Sequence, residues 1–411
     1  MKVLAIGNYY EPEITSGIYL VKNLYEQLAD NGVEVEVIIP SPSRGISQKL
    51  IKEYYGKDEV LKGDLLHISR IKIYPEKKGV IRRALRYGLI QYLLYKRAKS
   101  IKADIVFSQS TPPIIGITAA MIAKRNQIPF VYNIHDVFPD SLVNAGLTHK
   151  GSIIYKIGRK IEQYIYSNAT EIIAVSNSIR DNLLTKGVEK NKVSVIYNWV
   201  DENDIHYIPR EKNKLVEKWK LDSSKFFVVY AGNLGAAQNI DIILDAARIT
   251  SNNNNIQYLI IGKGIDEDRL KKKASLMQLH NVNFFPIQPY SDVSHVYSLG
   301  DVGIVTCKPG VGTAGMPSKT WSIMATGRPL IVSYDSNSEL RNLVDKINAG
   351  LCVDPDNAEE FAKKVIFYYE HREMCSEKGD NGREYVNKNL TKNICVEKYR
   401  KVLMKVKGKN E

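Results

Sequence analysis

The feature that most constrains this chain is a rhythm in which short, β-branched apolar runs end in glycine or polar loops and are followed by helically spaced apolar residues. VLAIG, Val3 to Gly7, opens it, with Tyr19, Leu24 and Leu28 at helical spacing behind. VEVIIP (35–40), DIVFSQ (104–109), PFVYNI (129–134), EIIAVS (171–176) and VSVIYN (193–198) continue it. Parallel strands need a crossover between them, so strand and helix in alternation predict a mostly parallel, helix-covered sheet. The rhythm lapses in a charged stretch from Trp199 to about Asp222. It resumes through KFFVVYAGNLG (225–235), YLIIGKG (258–264), VNFFP (282–286), DVGIVT (301–306), PLIVS (329–333) and GLCVD (350–354). The expectation is an α/β chain of two Rossmann-like domains, 1–199 and 200–387, facing a central cleft.

A chain of 411 residues with 44% hydrophobic content can bury two cores. No apolar run reaches the roughly 18 to 20 residues of a membrane span, and Met1 leads straight into a strand pattern, so a cytoplasmic location is expected. Cys307, Cys352, Cys375 and Cys395 are scattered without a CxxC pair, which predicts reduced thiols and no metal site. The net charge of +13 favours an anionic partner. Sugar nucleotide, phospholipid surface, lipid-linked phosphate and nucleic acid all satisfy charge alone, but no recognition-helix, RNP-like or zinc motif supports nucleic acid.

In an open parallel sheet, ligands bind beyond the carboxyl ends of the strands, where loops lead into helix N-termini with free amide donors. Three loops fit. Lys308 to Pro329 places a glycine-rich stretch after the strand at 301–306 and before a helix starting near Pro317, a residue suited to a first helical turn. There Ser318 and Lys319 would donate to an anion of diphosphate shape. In AGNLGAAQN (231–239), Gly232 and Gly235 let the backbone approach a phosphate, and Asn233 and Gln238 offer amides. In GNYYEPEITSG (7–17), Gly17 opens a helix that would meet the donor phosphate, while Tyr9, Tyr10, Glu11 and Glu13 would touch an acceptor sugar. A further segment, YNIHDVFPDS (132–141), sets His135 against the donor sugar and Asp136 or Asp140 as a base or acceptor contact. Each has a plain alternative, a loop or capped helix that only connects elements.

Between Lys77 and Lys102, nine Lys and Arg residues alternate with Tyr87, Tyr92, Tyr95 and several leucines, with no acidic residue. Such a helix suits an anionic membrane surface, here the inner face of the cell membrane. Against it, Leu89 and Leu93 share a wheel side with Arg82 and Arg86, as in a packed helix with solvated basic ends.

At this point the residues resemble retaining glycosyltransferases of family 4, which have the GT-B fold, and within them the fucosamine- and colanic-acid-type branch. The resemblance spans nearly the whole chain. It rests on PE...G at Pro12 to Gly17, D..PDS at Asp136 to Ser141, VIYNWVD at Val195 to Asp201, GN.G..Q at Gly232 to Gln238, and G.GMPSKT.SI.A.GRP ending at Pro329. It implies that the second domain holds a nucleoside-diphosphate sugar, expected here to be UDP-linked. The first domain receives a lipid-linked or polysaccharide acceptor and is completed by the terminal helix, 388–411. It also implies retention without metal or other cofactor. By the same analogy Lys319 neutralises the leaving diphosphate, Gly17, Gly232, Gly235 and Gly262 approach the donor with Pro317, Ser318 and Ser322, His135 contacts the sugar, and the base lies near Gln288.

Two departures stand out. Where many members carry two glutamates, this chain has Ala314 and Ser322, and where they carry Arg and Lys it has Asn233 and Gln238. The missing glutamates and the +13 charge also admit a non-catalytic sugar-nucleotide binding protein, and the two-domain architecture is one that a nucleotide-sugar 2-epimerase shares.

Overall fold

The computed structural model describes residues 1–14, 17–76, 79–144 and 146–408, and the side chains of 80, 81, 144 and 314 lie outside that description. The chain divides into two compact units, Met1–Asn198 with Lys392–Glu411, and Trp199–Thr391.

The first unit runs β1 (Lys2–Ile6), α1 (Ile18–Asp30), β2 (Glu34–Pro40), α2 (Gln48–Glu53), β3 (Glu59–Leu61), β4 (Leu66–Ile71), α3 (Val80–Ala98), β5 (Ile105–Gln109), α4 (Ile115–Asn126), β6 (Phe130–Ile134), α5 (Asp140–Asn144), α6 (Ile153–Asn168), β7 (Glu171–Ala174), α7 (Asn177–Thr185) and β8 (Val193–Val195). Its strands lie in the order β3-β4-β2-β1-β5-β6-β7-β8, and only the β3–β4 pair is antiparallel. Residue parity divides the two faces of the sheet. Leu4, Ile6, Val106 and Tyr132 point toward α3, α4, α6 and α7, through Ile90, Leu94, Ala119, Ile165 and Ile179. Phe107 points the other way and meets Tyr25 of α1 and a tyrosine near the chain end, Tyr399, with ring centroids 6.2 and 6.4 Å apart.

The second unit contains α8 (Lys214–Lys218), β9 (Phe226–Asn233), α9 (Asp241–Ile249), β10 (Ile256–Lys263), α10 (Glu267–Leu276), β11 (Val282–Phe285), α11 (Val293–Ser298), β12 (Val302–Thr306), α12 (Lys319–Ala325), β13 (Leu330–Ser333), α13 (Glu339–Ile347), β14 (Gly350–Val353), α14 (Ala358–Glu370) and α15 (Arg372–Asn389). The final helix, α16 (Lys392–Gly408), carries Tyr399 and returns to the first unit, where Lys405 pairs with Glu171 at 3.4 Å. Burying a side chain as large as Tyr399 or Leu403 contributes about 1.5–3 kcal/mol each, so this helix is a structural part of that unit.

The second sheet is parallel throughout, in the order β11-β10-β9-β12-β13-β14. This is the doubly wound arrangement, with its reversal of strand order between β9 and β12, where loops diverge and leave room for a ligand. The same reversal in the first sheet falls between β1 and β5.

Candidate active site

The loops after β9 and β12 are those in which the sequence places phosphate-binding residues, and the fold brings them together at the reversal point. Lys308 N donates to Ala237 O at 3.0 Å, and Thr306 Oγ1 donates to Gln238 O, so the two loops are hydrogen-bonded to each other. Gly232 has φ 148°, a conformation that glycine tolerates best, and a Cβ there would lie 3.5 Å from Lys319 Nζ. Gly262, on the neighbouring strand, has no room for a side chain: its Cβ would stand 2.0 Å from Gly232 O. Asn233 is exposed at the end of β9, Gly235 begins the turn, and Gln238 ends it.

Pro317 and Ser318 lead into α12. Thr320 N donates to Pro317 O and Trp321 N to Ser318 O, so the helix begins with tight turns and regular α structure starts only at Lys319. The amides of Ser318 and Lys319, ahead of those bonds, precede any acceptor within the helix. Burial of Trp321, Ile323 and Met324 anchors the rest of α12, and Ser322 is buried with them.

Lys319 is the anomaly of this site. Its Nζ is buried and has no hydrogen-bond partner among the described residues. It lies 4.0 Å from the centroid of the Tyr230 ring, whose hydroxyl donates to Asn233 O at 2.8 Å. Burial lowers its pKa from 10.5 to about 7. A buried ammonium without a carboxylate is expensive, and an aromatic face offsets only part of that cost. An incoming anion would supply the missing partner.

Tyr230 was absent from the sequence-based candidates, although period-two alternation puts it on the same strand face as Gly232. Asp335 was absent too. Its carboxylate accepts from Gly310 N at 2.9 Å and Gly312 N at 2.9 Å, tying down the glycine-rich loop ahead of α12. Gln288 follows the edge strand β11, two strands from β9, where it is half-buried and accepts from Lys218 Nζ at 2.9 Å.

In the first unit, the remaining candidates follow β1 and β6. Tyr9 hydroxyl is 3.1 Å from that of Tyr87, and Tyr10 is buried against Tyr25. Glu11 pairs with Lys22 at 2.9 Å. Glu13 is buried and accepts from Ser43 N and Arg44 N at 2.8 and 3.0 Å, which commits its carboxylate to holding the neighbouring loop. Burial nevertheless raises its pKa. Gly17, with φ 79°, caps α1.

His135 and Asp136 leave β6 with both amides donating to Ser110 Oγ, at 3.0 and 3.4 Å. Desolvation lowers the His135 pKa to about 4, so it is a neutral imidazole near pH 7, with Asn133 Nδ2 3.1 Å from its Nε2. The protein packed around Asp136 raises its pKa, although the residue still reaches solvent. Asp140 is engaged by Lys186 Nζ at 2.8 Å, Tyr155 hydroxyl at 2.8 Å and Asn182 Nδ2 at 3.1 Å. Burial opposes its ionisation, but those hydrogen bonds outweigh it and hold the pKa below the usual carboxylate range.

Comparison with known proteins decides what this arrangement belongs to. The family model described as Glycosyltransferase Family 4 matches residues 19–204, and that described as Glycosyl transferases group 1 matches residues 211–385. The chain is a glycosyltransferase of the family 4 type. WcaI of Escherichia coli K12, provisionally named a colanic acid biosynthesis glycosyl transferase, is 24% identical over 404 residues, covering 95% of this chain and 97% of WcaI. CapM of Staphylococcus aureus, a capsular polysaccharide biosynthesis glycosyltransferase, is 23% identical, covering 78% of this chain and 81% of CapM. The crystal structure of Anabaena HepE in complex with UDP superposes with a TM-score of 0.75 at 14% identity, covering 98% of this chain and 100% of HepE. That likeness establishes the GT-B type of fold for this glycosyltransferase.

The two departures from the wider family pattern take a physical form. Ser322 is buried in α12 and brings no charge, and the side chain of Ala314 lies outside the described residues. Asn233 and Gln238 bring uncharged amides beside Gly232, so Lys319 is the one cation among the residues that the sequence assigns to the donor.

Proposed function

We propose that this glycosyltransferase moves a sugar, with retention, from a UDP-linked donor to a lipid-linked or polysaccharide acceptor in surface-glycan synthesis. The observation that carries the reading is the buried, unpartnered Lys319 Nζ at the reversal point of the second sheet. The UDP complex of HepE and the names of WcaI and CapM agree with the donor and pathway class.

In this reading residues 200–387 hold the donor and residues 1–199, completed by 388–411, receive the acceptor. The diphosphate lies against Gly232, Gly235 and the backbone amides of Ser318 and Lys319, which follow Pro317 at the start of α12. As the bond between the anomeric carbon and the diphosphate oxygen breaks, charge grows on that oxygen and Lys319 and the amides stabilise it. The acceptor oxygen bonds to the anomeric carbon on the same face and gives up its proton there. Asp136 is the candidate base, helped by a pKa that protein packing has raised. His135, being neutral, hydrogen-bonds a donor hydroxyl without adding charge. Gly17, Gly262, Gln288 and Ser322 complete the donor contacts, and Tyr9, Tyr10, Glu11, Glu13 and Asp140 border the acceptor region. The protein works in the cytoplasm, with α3 resting on the inner face of the membrane.

Incubation of purified protein with labelled UDP-sugars, with and without lipid-linked acceptors, tests this. UDP release coupled to labelled glycan of unchanged anomeric configuration is expected. Interconversion of the donor without acceptor, or binding without turnover, would contradict it.

A further inference from the structure

We infer that the N-terminal part of α6, with the loop before it, is a second membrane-contact element that inserts aliphatic side chains into an anionic lipid surface. The inference rests on the proposal above that α3 meets the membrane, and it adds an insertion site on a separate helix.

Exposure of large apolar side chains is concentrated here. Leu147, Ile153, Ile154 and Ile157 are 73%, 75%, 60% and 55% exposed, and they lie within eleven consecutive residues. Ser152 caps the helix by accepting from Tyr155 N at 3.1 Å, so both isoleucines at 153 and 154 project from an ordered first turn. Helical spacing aligns Ile153, Ile157, Lys160 and Tyr164 in one outward stripe, while Ile165 and Tyr166 turn into the core. Between Asp140 and Glu162 the sequence has no acidic residue, and it carries Lys150, Lys156, Arg159 and Lys160. The three lysines make no ion pair among the described residues and are exposed. Exposed aliphatics ringed by unpaired cations match an interface in which apolar groups enter the acyl boundary and cations meet lipid phosphates.

The neighbouring helices extend this surface. α4 packs between α3 and α6, and all three bury their inner faces in the same core. On α3, Leu85, Leu89 and Tyr92 are exposed between Arg82 and Lys96, one stripe along the helix. The wheel placement from sequence is corrected in two details. Arg86 turns inward, donating to Tyr74 O at 2.9 Å, and Leu93 packs against the core, so the outer face is more cleanly amphipathic than the sequence suggests. Lys77 and Lys78 lie outside the described residues. No helix among the described residues is long and apolar enough to cross a membrane, which makes the contact peripheral. Self-association of a face so rich in cations and free of acids would set like charges together, which disfavours a second copy as the occupant.

Co-sedimentation of the full chain with phosphatidylglycerol and phosphatidylcholine vesicles provides the test. Binding to the anionic vesicles, reduced by salt, is expected. Ile153→Ser with Ile157→Ser should weaken it by about tenfold or more, because two inserted side chains leave the lipid, while nucleotide binding by the same variant confirms its fold. Arg82→Ala with Arg83→Ala separates the helices: if it alone abolishes binding and the isoleucine variant binds as wild type, α3 is the membrane element and the α6 inference fails. Failure of the wild type to bind either vesicle also overturns it. So does a concentration-dependent dimer that the isoleucine variant dissolves, which would assign the face to a second copy.

Discussion

Lys186 and Lys319 are both partly buried lysines beside α/β sheets of similar design, yet they are held in opposite ways. Lys186, at the end of α7, reaches Asp140 at 2.8 Å and Glu162 at 2.7 Å, and Tyr166 hydroxyl adds a hydrogen bond to Glu162 at 2.9 Å. Its charge is answered within the fold. Lys319 has the Tyr230 ring and, among the described residues, no carboxylate partner. The contrast separates a cation that belongs to the architecture from one whose partner has to come from outside, and it shows why burial alone does not mark a functional residue.

The most forceful way to break the comparison is to remove each cation. Lys186→Met removes the cation that Asp140 and Glu162 share, leaving Glu162 with Arg159 and Asp140 with no ion pair among the described residues, and should cost about 3 kcal/mol in urea unfolding. If that variant keeps wild-type stability, the pair is not structural in the sense argued here. Lys319→Met should behave in the reverse manner. Turnover should fall about 100-fold to 1000-fold, as when one transition-state donor is deleted, while the melting temperature stays level or rises. The sign follows from linkage: a lysine whose pKa is about 7 in the fold and 10.5 in the unfolded chain costs stability when protonated, and that cost is relieved as pH rises through this window. Full activity, or a marked loss of stability, would refute the assignment.

A smaller effect sharpens the picture of the loop around Lys319. Asp335→Ala frees Gly310 N and Gly312 N, so the glycine-rich loop loses its anchor without losing a donor contact. Steady-state kinetics should show the donor KM rising about fivefold, near the value of one net hydrogen bond, with kcat little changed. An equal fall in kcat would mean that Asp335 acts on the reaction itself.

Much of this was legible from residues alone, for reasons that differ by element. The strands of the second unit are continuous apolar runs because both faces of a parallel sheet are covered, and each stands out in the sequence. β3 and β4 escaped notice because LHISRI mixes polar residues into its pattern. There Arg70 is buried and tied to Glu59, and Ser69 contacts Glu36 at 3.4 Å, so long-range partners permit what local pattern discourages. Lys319 could be picked out from its place after Pro317 and Ser318 in a loop behind a strand. That it has no partner could not, since this depends on what Tyr230 and Gly232 place around it. Asp335 and Ser110 act on backbone amides 23 to 26 residues away, a separation no local spacing rule reaches.

The central claim, that Lys319 takes its counter-charge from the donor diphosphate, is tested most directly by proton uptake. A free-protein pKa of about 7 leaves Lys319 largely neutral at pH 8, and a bound diphosphate would restore its proton. Calorimetric titration of UDP at pH 8, in two buffers of different ionisation enthalpy, should therefore show uptake of about nine-tenths of a proton for the wild type. The Lys319→Met protein should lack that uptake and bind more weakly. UDP binding without proton uptake, or equal uptake by the two proteins, would contradict the account.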